Sequence, residues 1–187
     1  MECESYLRFL DGDTSAMQEI VEQYWDIMLL YVNSYVHSIP DAEDIAEEAL
    51  IELAAEQPVL EEESQVKTYL MKNCRTLAQE SVKQKLQRKS DAEKELQEWE
   101  SNDNVDLLML EDRMQLDDSK RLLHRALLRL PRKHRDILYL HYFVGLSYLE
   151  SATVLGCSEK HAVSAAYNAR LELKKLMEKE GYFGEKL

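Results

Sequence analysis

The chain has 187 residues, of which 45% are hydrophobic and 32% charged, and its net charge at pH 7 is −13. This length suits one domain or two small ones, and five Gly and three Pro among abundant Glu, Leu, Ala and Lys favour an all-α protein. No apolar run is long enough to span a bilayer and the acidic N-terminus is no secretion signal, so we expect a cytoplasmic protein without membrane insertion.

Charge is segregated along the chain. Residues 1–66 hold one basic and 17 acidic side chains, and residues 67–89 hold seven basic and one acidic. Residues 90–118 hold two basic and 11 acidic, and residues 119–187 hold 13 basic and seven acidic. Because phosphate binding depends on the field within roughly 10 Å at physiological salt, the negative total does not exclude nucleic-acid binding by the two basic blocks.

The first 90 residues predict a helical domain. After a turn at Asp11–Asp13, apolar residues recur at helical spacing toward His37, and extra apolar residues widen the stripe, so this helix should pack on two sides. A second helix starts at Pro40 and ends at Gln57–Pro58.

One face of this second helix is apolar and the other is acidic. A solvated surface is the simplest explanation of the acidic face, and a surface for docking on a basic partner is the functional alternative. The carboxylates that we assign to docking are Asp41, Asp44, Glu47 and Glu48.

The basic block falls on the third predicted helix and its extension. Cations along a helix can follow phosphates, although a soluble helix face is the alternative. Tyr35 and Tyr69 are candidates for stacking on an unpaired base, with core packing as the alternative for each. The candidate DNA-binding cations are Lys72, Arg75, Lys83, Lys85, Arg88 and Lys89.

The acidic segment 91–118 is predicted to be a linker, and a second helical domain is predicted for residues 119–187. Within that domain, Leu127–Leu176 predicts three helices separated by two tight breaks. Ser147 and Glu150 have the spacing of a capping box at the start of the short middle helix. The residues that start or end these helices are Pro131, Gly145, Ser147, Gly156 and Ser158.

A short helix, a glycine turn and a longer helix are typical of a helix-turn-helix, whose second helix enters the DNA major groove. An ordinary helical hairpin is the alternative. Only a few polar residues face outward from the last helix, where Asn can read adenine and Lys or Ser can bond phosphate or base. The candidate DNA-binding residues are Lys160, His161, Ser164, Tyr167, Asn168 and Arg170, although His161 could be a plain surface histidine.

No catalytic set or cofactor motif is visible, so the chain is not expected to be an enzyme. Its histidines lack a matched Cys or carboxylate pattern for a metal, and there is no glycine loop for phosphate. Cys3, Cys74 and Cys157 are odd in number and far apart, which favours buried thiols.

The string Gly145–Ser158, GLSYLESATVLGCS, with Leu130-Pro131 before it and Ala169-Arg170 after it, resembles the promoter −35-binding domain of the bacterial sigma-70 family. The strings DAEDIAEEAL from Asp41 and YLMKNCRTLA from Tyr69 resemble the first domain of its extracytoplasmic-function (ECF) members. The resemblance spans about residues 5–178 in the expected order.

This resemblance implies a sigma factor that binds core RNA polymerase, through its β′ and β subunits, and promoter DNA. Residues 1–90 would be a region 2-like domain for polymerase docking and the −10 element, and residues 119–187 a region 4-like domain for the −35 element. Near the loop that captures a −10 base in the family, Glu61–Glu63 would repel a phosphate. An anti-sigma factor is left open as a further partner.

Two other functions remain open at this point. The last helix carries fewer cations than is usual in the family, so one alternative is a sigma-like protein that binds polymerase but no longer reads promoters. The other is a stand-alone helix-turn-helix repressor, which would bind duplex DNA without polymerase.

Overall fold

The computed structural model describes residues 4–88, 111–112 and 114–179, without the side chains of Leu86 and Arg88. These residues form eight α-helices, which confirms the predicted all-α class. None of these helices is long and apolar enough to cross a membrane.

The chain divides into two compact units between Gln115 and Leu116. Most of the predicted acidic linker 91–118 lies outside the described residues.

The first unit contains α1 (Glu4–Leu10), α2 (Ser15–Val36), α3 (Ile39–Glu56) and α4 (Glu63–Arg88). The central helix is α2, because it packs against each of the other three. Every residue from Met28 to Val36 is buried, so the predicted packing of this helix on two sides is confirmed.

The helix α1 was not predicted from the sequence. Tyr6 anchors this helix, since its ring is 1% exposed and its hydroxyl donates to the Pro58 carbonyl oxygen at 2.7 Å. Arg8 binds the carboxylates of Asp13 and Glu19 at 2.5 and 2.8 Å, and so joins α1 to α2.

The ends of α2 and α3 place α3 against the rest of the unit. His37 ends α2 in the left-handed region at φ 52°, and Ser38 caps α3 by accepting the Asp41 N–H at 3.4 Å. Pro40 occupies the first turn, where its missing N–H is tolerated. Gln57, at φ 45°, ends α3 as predicted.

The second unit contains α5 (Asp118–Leu128), α6 (Arg132–Tyr142), α7 (Tyr148–Leu155) and α8 (Glu159–Lys179). The last three are the predicted helices, and α5 was not predicted. Packing of α8 against the other three helices makes it the centre of this unit.

Small side chains let α8 lie close to its neighbours. Ala162, Ala166 and Ala169 recur at helical spacing and are fully buried. On α6, Ile137–Leu140 are also fully buried. The apolar side of α8 is therefore used by the core of the unit, which leaves its opposite side facing solvent.

Candidate nucleic-acid interface

The start of α7 and the turn between α7 and α8 have the predicted local structure. The Ser147 hydroxyl accepts the Glu150 N–H at 3.2 Å, and the Glu150 carboxylate accepts the Ser147 N–H at 2.7 Å, so the capping box is confirmed. Gly156 ends α7 with φ 68°, a conformation that favours glycine. Ser158 then caps α8 by accepting the His161 N–H at 3.3 Å.

The outward side of α8 carries the predicted recognition residues. All six are exposed to solvent, on a helix whose inward alanines are fully buried. Tyr167 is the bulkiest of them, with 58% of its surface exposed. These residues are Lys160, His161, Ser164, Tyr167, Asn168 and Arg170.

Arg170 is also engaged within the unit. Its guanidinium donates to the Tyr148 hydroxyl at 2.7 Å, and its pKa is raised by hydrogen bonding to Tyr142 and then to Tyr148. The Tyr148 ring stacks on His141 at a centroid distance of 4.5 Å. Arg170 therefore links α8 to the start of α7, a role that its position in the sequence did not reveal.

A second polar contact fixes α8 on its other side. His134 Nδ1 in α6 is hydrogen-bonded to the Glu172 carboxylate in α8. The orientation of α8 is thus set by the alanine packing together with polar contacts to α6 and α7.

An apolar stripe on the exposed side of α8 was not recognised from the sequence. Val163 and Leu171 are 43% and 44% exposed, and they flank Tyr167 at intervals of four residues. This spacing was the available signal, because residues four apart share a helix face.

The predicted cations of α4 do not form one surface. Lys72 and Lys83 are exposed, and at about 3.6 residues per turn they share a face. Lys85 lies roughly opposite, where its Nζ donates to the Asp41 carboxylate at 2.6 Å. Arg75 is half-buried. The side chain of Arg88 and all of Lys89 lie outside the described residues.

The two candidates for base stacking, Tyr35 and Tyr69, differ in solvent exposure. Tyr35 is 3% exposed and its hydroxyl is 3.2 Å from that of Tyr31, so it belongs to the core. Tyr69 is half-buried and donates to the Glu56 carboxylate at 2.5 Å. Burial and this hydrogen bond raise the pKa of Tyr69.

The acidic face of α3 is mostly open. Asp44, Glu47 and Glu48 are exposed, whereas Asp41 is half-buried beside Lys85. Burial alone would raise the pKa of Asp41, but hydrogen bonds from Lys85 and the Ser38 hydroxyl outweigh it and hold that pKa below its ordinary value.

An apolar groove of about 780 Å³ lies between α2 and α3 beside this face. The carboxylates of Glu22, Asp26 and Glu47 stand among its lining residues. Ile51, which is 66% exposed, presents its side chain to solvent there. The apolar lining consists of Met17, Val21, Trp25, Leu50, Ile51 and Ala54.

The loop before α4 is exposed at its tip. Val59 is 89% exposed, and Glu61 and Glu62 face solvent. The Gln65 side chain accepts the N–H groups of Glu61 and Glu62 at 2.8 and 3.2 Å and holds this acidic turn in place.

In the described ranges no three His, Cys, Asp or Glu residues are grouped so as to hold a metal ion. Cys74 is buried, and burial raises the pKa of its thiol. Cys157 is half-buried and Cys3 lies outside the described residues.

Comparison with known proteins gives consistent similarities. Residues 120–173 match the family described as "Sigma-70, region 4". The chain is 28% identical to the RNA polymerase sigma-H factor of Pseudomonas aeruginosa over 171 residues, which cover 89% of each chain. It is 26% identical to the RNA polymerase sigma factor YlaC of Bacillus subtilis over 167 residues, 88% of this chain and 93% of that one.

The fold also resembles a solved structure, that of CnrH in complex with the cytosolic domain of CnrY. The TM-score is 0.61 at 15% identity, and the alignment covers 94% of this chain and 96% of CnrH. At that identity the likeness concerns the fold.

Proposed function

We infer that this chain is an RNA polymerase sigma factor of the sigma-70 family, in its extracytoplasmic-function subfamily, and that it acts through three surfaces. These are the outward side of α8 for the −35 element, the exposed cations of α4 for the −10 element, and the acidic side of α3 for core polymerase. As a sigma factor it binds core RNA polymerase, and it binds promoter DNA through its helix-turn-helix.

The observation that carries the −35 proposal is the simultaneous exposure of all six predicted residues of α8. A helix-turn-helix reads base edges from the first turns of its second helix. In α8 those turns contain Lys160, His161 and Ser164, and Asn168 follows one turn later. Arg170 would contribute to this surface only while also holding Tyr148.

For polymerase docking we propose the acidic residues of α3 together with the neighbouring apolar groove. Asp44, Glu47 and Glu48 would meet basic side chains of the β′ subunit, and Ile51 would supply apolar contact area. Charge pairs at the rim set register and association rate, whereas buried apolar side chains supply most of the affinity. Asp41 would act indirectly, since it already pairs with Lys85. Contacts with the β subunit belong to the same proposal.

For the −10 element we propose Lys72 and Lys83, which are exposed on one face of α4, together with the half-buried Arg75 beside them. Arg88 and Lys89 are proposed from the sequence alone. The acidic turn at Glu61–Glu63 would keep phosphates away from the start of this helix.

We propose the corresponding division of labour along the chain. Residues 1–90 would form the region 2-like domain, 91–118 the acidic linker and 119–187 the region 4-like domain. An anti-sigma factor is proposed as a regulatory partner, supported by the similar fold of CnrH, whose solved structure holds the cytosolic domain of CnrY.

The alternative of a polymerase-binding protein without promoter reading is not favoured, because the family match falls on region 4 itself. The named relatives match over most of the chain, and both are named as RNA polymerase sigma factors. This full-length similarity also distinguishes the chain from a stand-alone repressor.

The test is transcription of promoter fragments by core RNA polymerase with and without the full-length chain, followed by sequencing of the transcripts. Promoter-specific starts should require the chain. The double variant Lys160→Ala with Asn168→Ala should still bind core polymerase and should change the choice of start sites. Core binding without any specific transcript would instead favour the interaction protein.

A further inference from the structure

Between its two ends, the outward side of α8 carries one exposed charge, Arg170, whose guanidinium is bonded to Tyr148. Lys160 and His161 stand in its first turn, and Lys174 and Lys175 stand near its last turn. Between them, the uncharged exposed side chains on this side are Ser164, Tyr167, Asn168 and Leu171. The middle of the recognition surface therefore offers apolar atoms, one hydroxyl and one amide beside the Tyr167 hydroxyl.

The single arginine of α8 is bonded within the unit. At about 3.6 residues per turn, Arg170 lies roughly 160° around the helix from Asn168 and about 60° from Tyr167, at the edge of the outward side. Its guanidinium donates to the Tyr148 hydroxyl at 2.7 Å, and a further hydrogen bond to Tyr142 contributes to its raised pKa. A bidentate contact with guanine would require Arg170 to give up these bonds.

Different side chains recognise different base edges in the major groove. Guanine is read by bidentate Arg or Lys, adenine by bidentate Asn or Gln, and the thymine methyl group by apolar contact. The segment from Ser164 to Asn168 rises by about 6 Å, which is roughly two base-pair steps of 3.4 Å and therefore spans about three base pairs. No Lys or Arg projects from this segment.

We infer that α8 selects A·T pairs over about three adjacent positions of the −35 element. Asn168 pairs with an adenine, and Tyr167 contacts a thymine methyl group, while Lys160 holds phosphate beside them. The inference rests on the proposed function, in which α8 enters the major groove.

The experiment uses the full-length chain bound to core RNA polymerase and a promoter library with a fixed −10 element and a randomised −35 region. Sequenced transcripts should show A·T enrichment at about three adjacent positions. In the best promoter, uracil in place of each thymine removes only the methyl group, and should lower initiation roughly fourfold at a contacted position. Asn168→Ala should relax the adenine preference at one position roughly tenfold.

Asn168→Arg should convert that position from adenine to guanine, which a purely structural role would not do. The matched control is Leu122→Ala in α5, an apolar side chain 39% exposed and outside α8, which should leave the profile unchanged. The helicity of each variant is measured by circular dichroism, and all the substituted side chains are exposed.

Enrichment of G·C pairs at these positions, or no effect of either uracil or Asn168→Ala, would overturn the inference while leaving the sigma-factor function intact. Absence of promoter-specific transcripts from the wild-type holoenzyme would overturn both. The two failures are therefore distinguishable.

Discussion

The helices α4 and α8 both carry residues proposed to meet DNA, but they present different chemistry. The open side of α4 carries the ammonium groups of Lys72 and Lys83, whereas the middle of α8 carries the uncharged side chains of Val163, Tyr167 and Asn168. Charge attracts any phosphate and weakens as salt is added, whereas base contacts discriminate sequence. We thus assign most of the attraction for DNA to α4 and the sequence preference to α8, in a chain whose net charge is −13.

The largest effect is expected from a variant that destabilises the second unit, which contains α8, and leaves α4 intact. Ile137 is fully buried in α6, against which α8 packs, so Ile137→Ala should destabilise the second unit by about 2–5 kcal/mol. Promoters that depend on −35 should lose activity, while binding of a −10 strand should persist. Thermal unfolding and limited proteolysis measure the first effect and strand binding the second.

The control for stability is Ile51→Ala, since that side chain is 66% exposed and should cost less than about 0.5 kcal/mol. If Ile137→Ala abolished strand binding as well, the two helices would not act separately.

Charge reversal on α3 is expected to have the next largest effect, through the partner that both helices share. Asp44→Arg with Glu48→Arg should weaken association with core polymerase about tenfold, mainly through the association rate, without loss of helicity. Surface plasmon resonance at two salt concentrations measures this. The same charge change at Glu4 and Asp11, which are also exposed, should have little effect. Equal losses in the two double variants would contradict the docking proposal.

Removal of the α4 cations would sharpen the contrast in salt dependence. Lys72→Ala with Lys83→Ala should reduce the slope of log affinity against log salt by roughly 1.4 for a single-stranded −10 oligonucleotide bound to the holoenzyme, and should do so for every sequence. Lys85→Ala is the matched control from the same helix, because Lys85 lies on the far side and pairs with Asp41. A larger change from Lys85→Ala would mean that the wrong side of α4 is assigned.

The smallest effect concerns the pair of Asp41 and Lys85. The pKa of Asp41 is below its ordinary value in the folded state, so the pair should stabilise the first unit above the ordinary carboxylate range and lose this effect as the pH falls through the folded value. Both side chains are about one-third exposed, so screening limits the gain to about 0.5 kcal/mol.

The measurement is the free energy of unfolding of the wild type and of Lys85→Met from pH 7 to pH 3. The difference between them should be largest at pH 7 and should vanish in acid. A difference that grew as the pH fell would contradict the sign of this linkage.

Local signals allowed the helix-turn-helix to be predicted from the sequence. The capping box joins Ser147 and Glu150, which are three positions apart, and Gly156 ends α7 through its own backbone preference. Such signals involve only residues close together in the sequence, so they can be read without the tertiary structure, and these three residues were assigned correctly.

Contacts between distant residues could not be predicted in this way. Tyr6 holds α1 through Pro58, 52 residues away, and the pair of Lys85 and Asp41 spans 44 residues. The engagement of Arg170 with Tyr148 likewise depends on how α8 crosses α7. Each of these contacts follows from packing, which composition and periodicity do not specify, and so the roles of single cations were the least predictable part of the candidate site.

The bond between Asp41 and Lys85 has a mechanical consequence. It joins the beginning of α3, which is proposed to bind polymerase, to the second half of α4, which is proposed to bind the single strand. The two helices also pack along each other. Because of this packing, the two proposed binding faces would move together when either partner shifts, and the bond between Asp41 and Lys85 adds a weak tie between them.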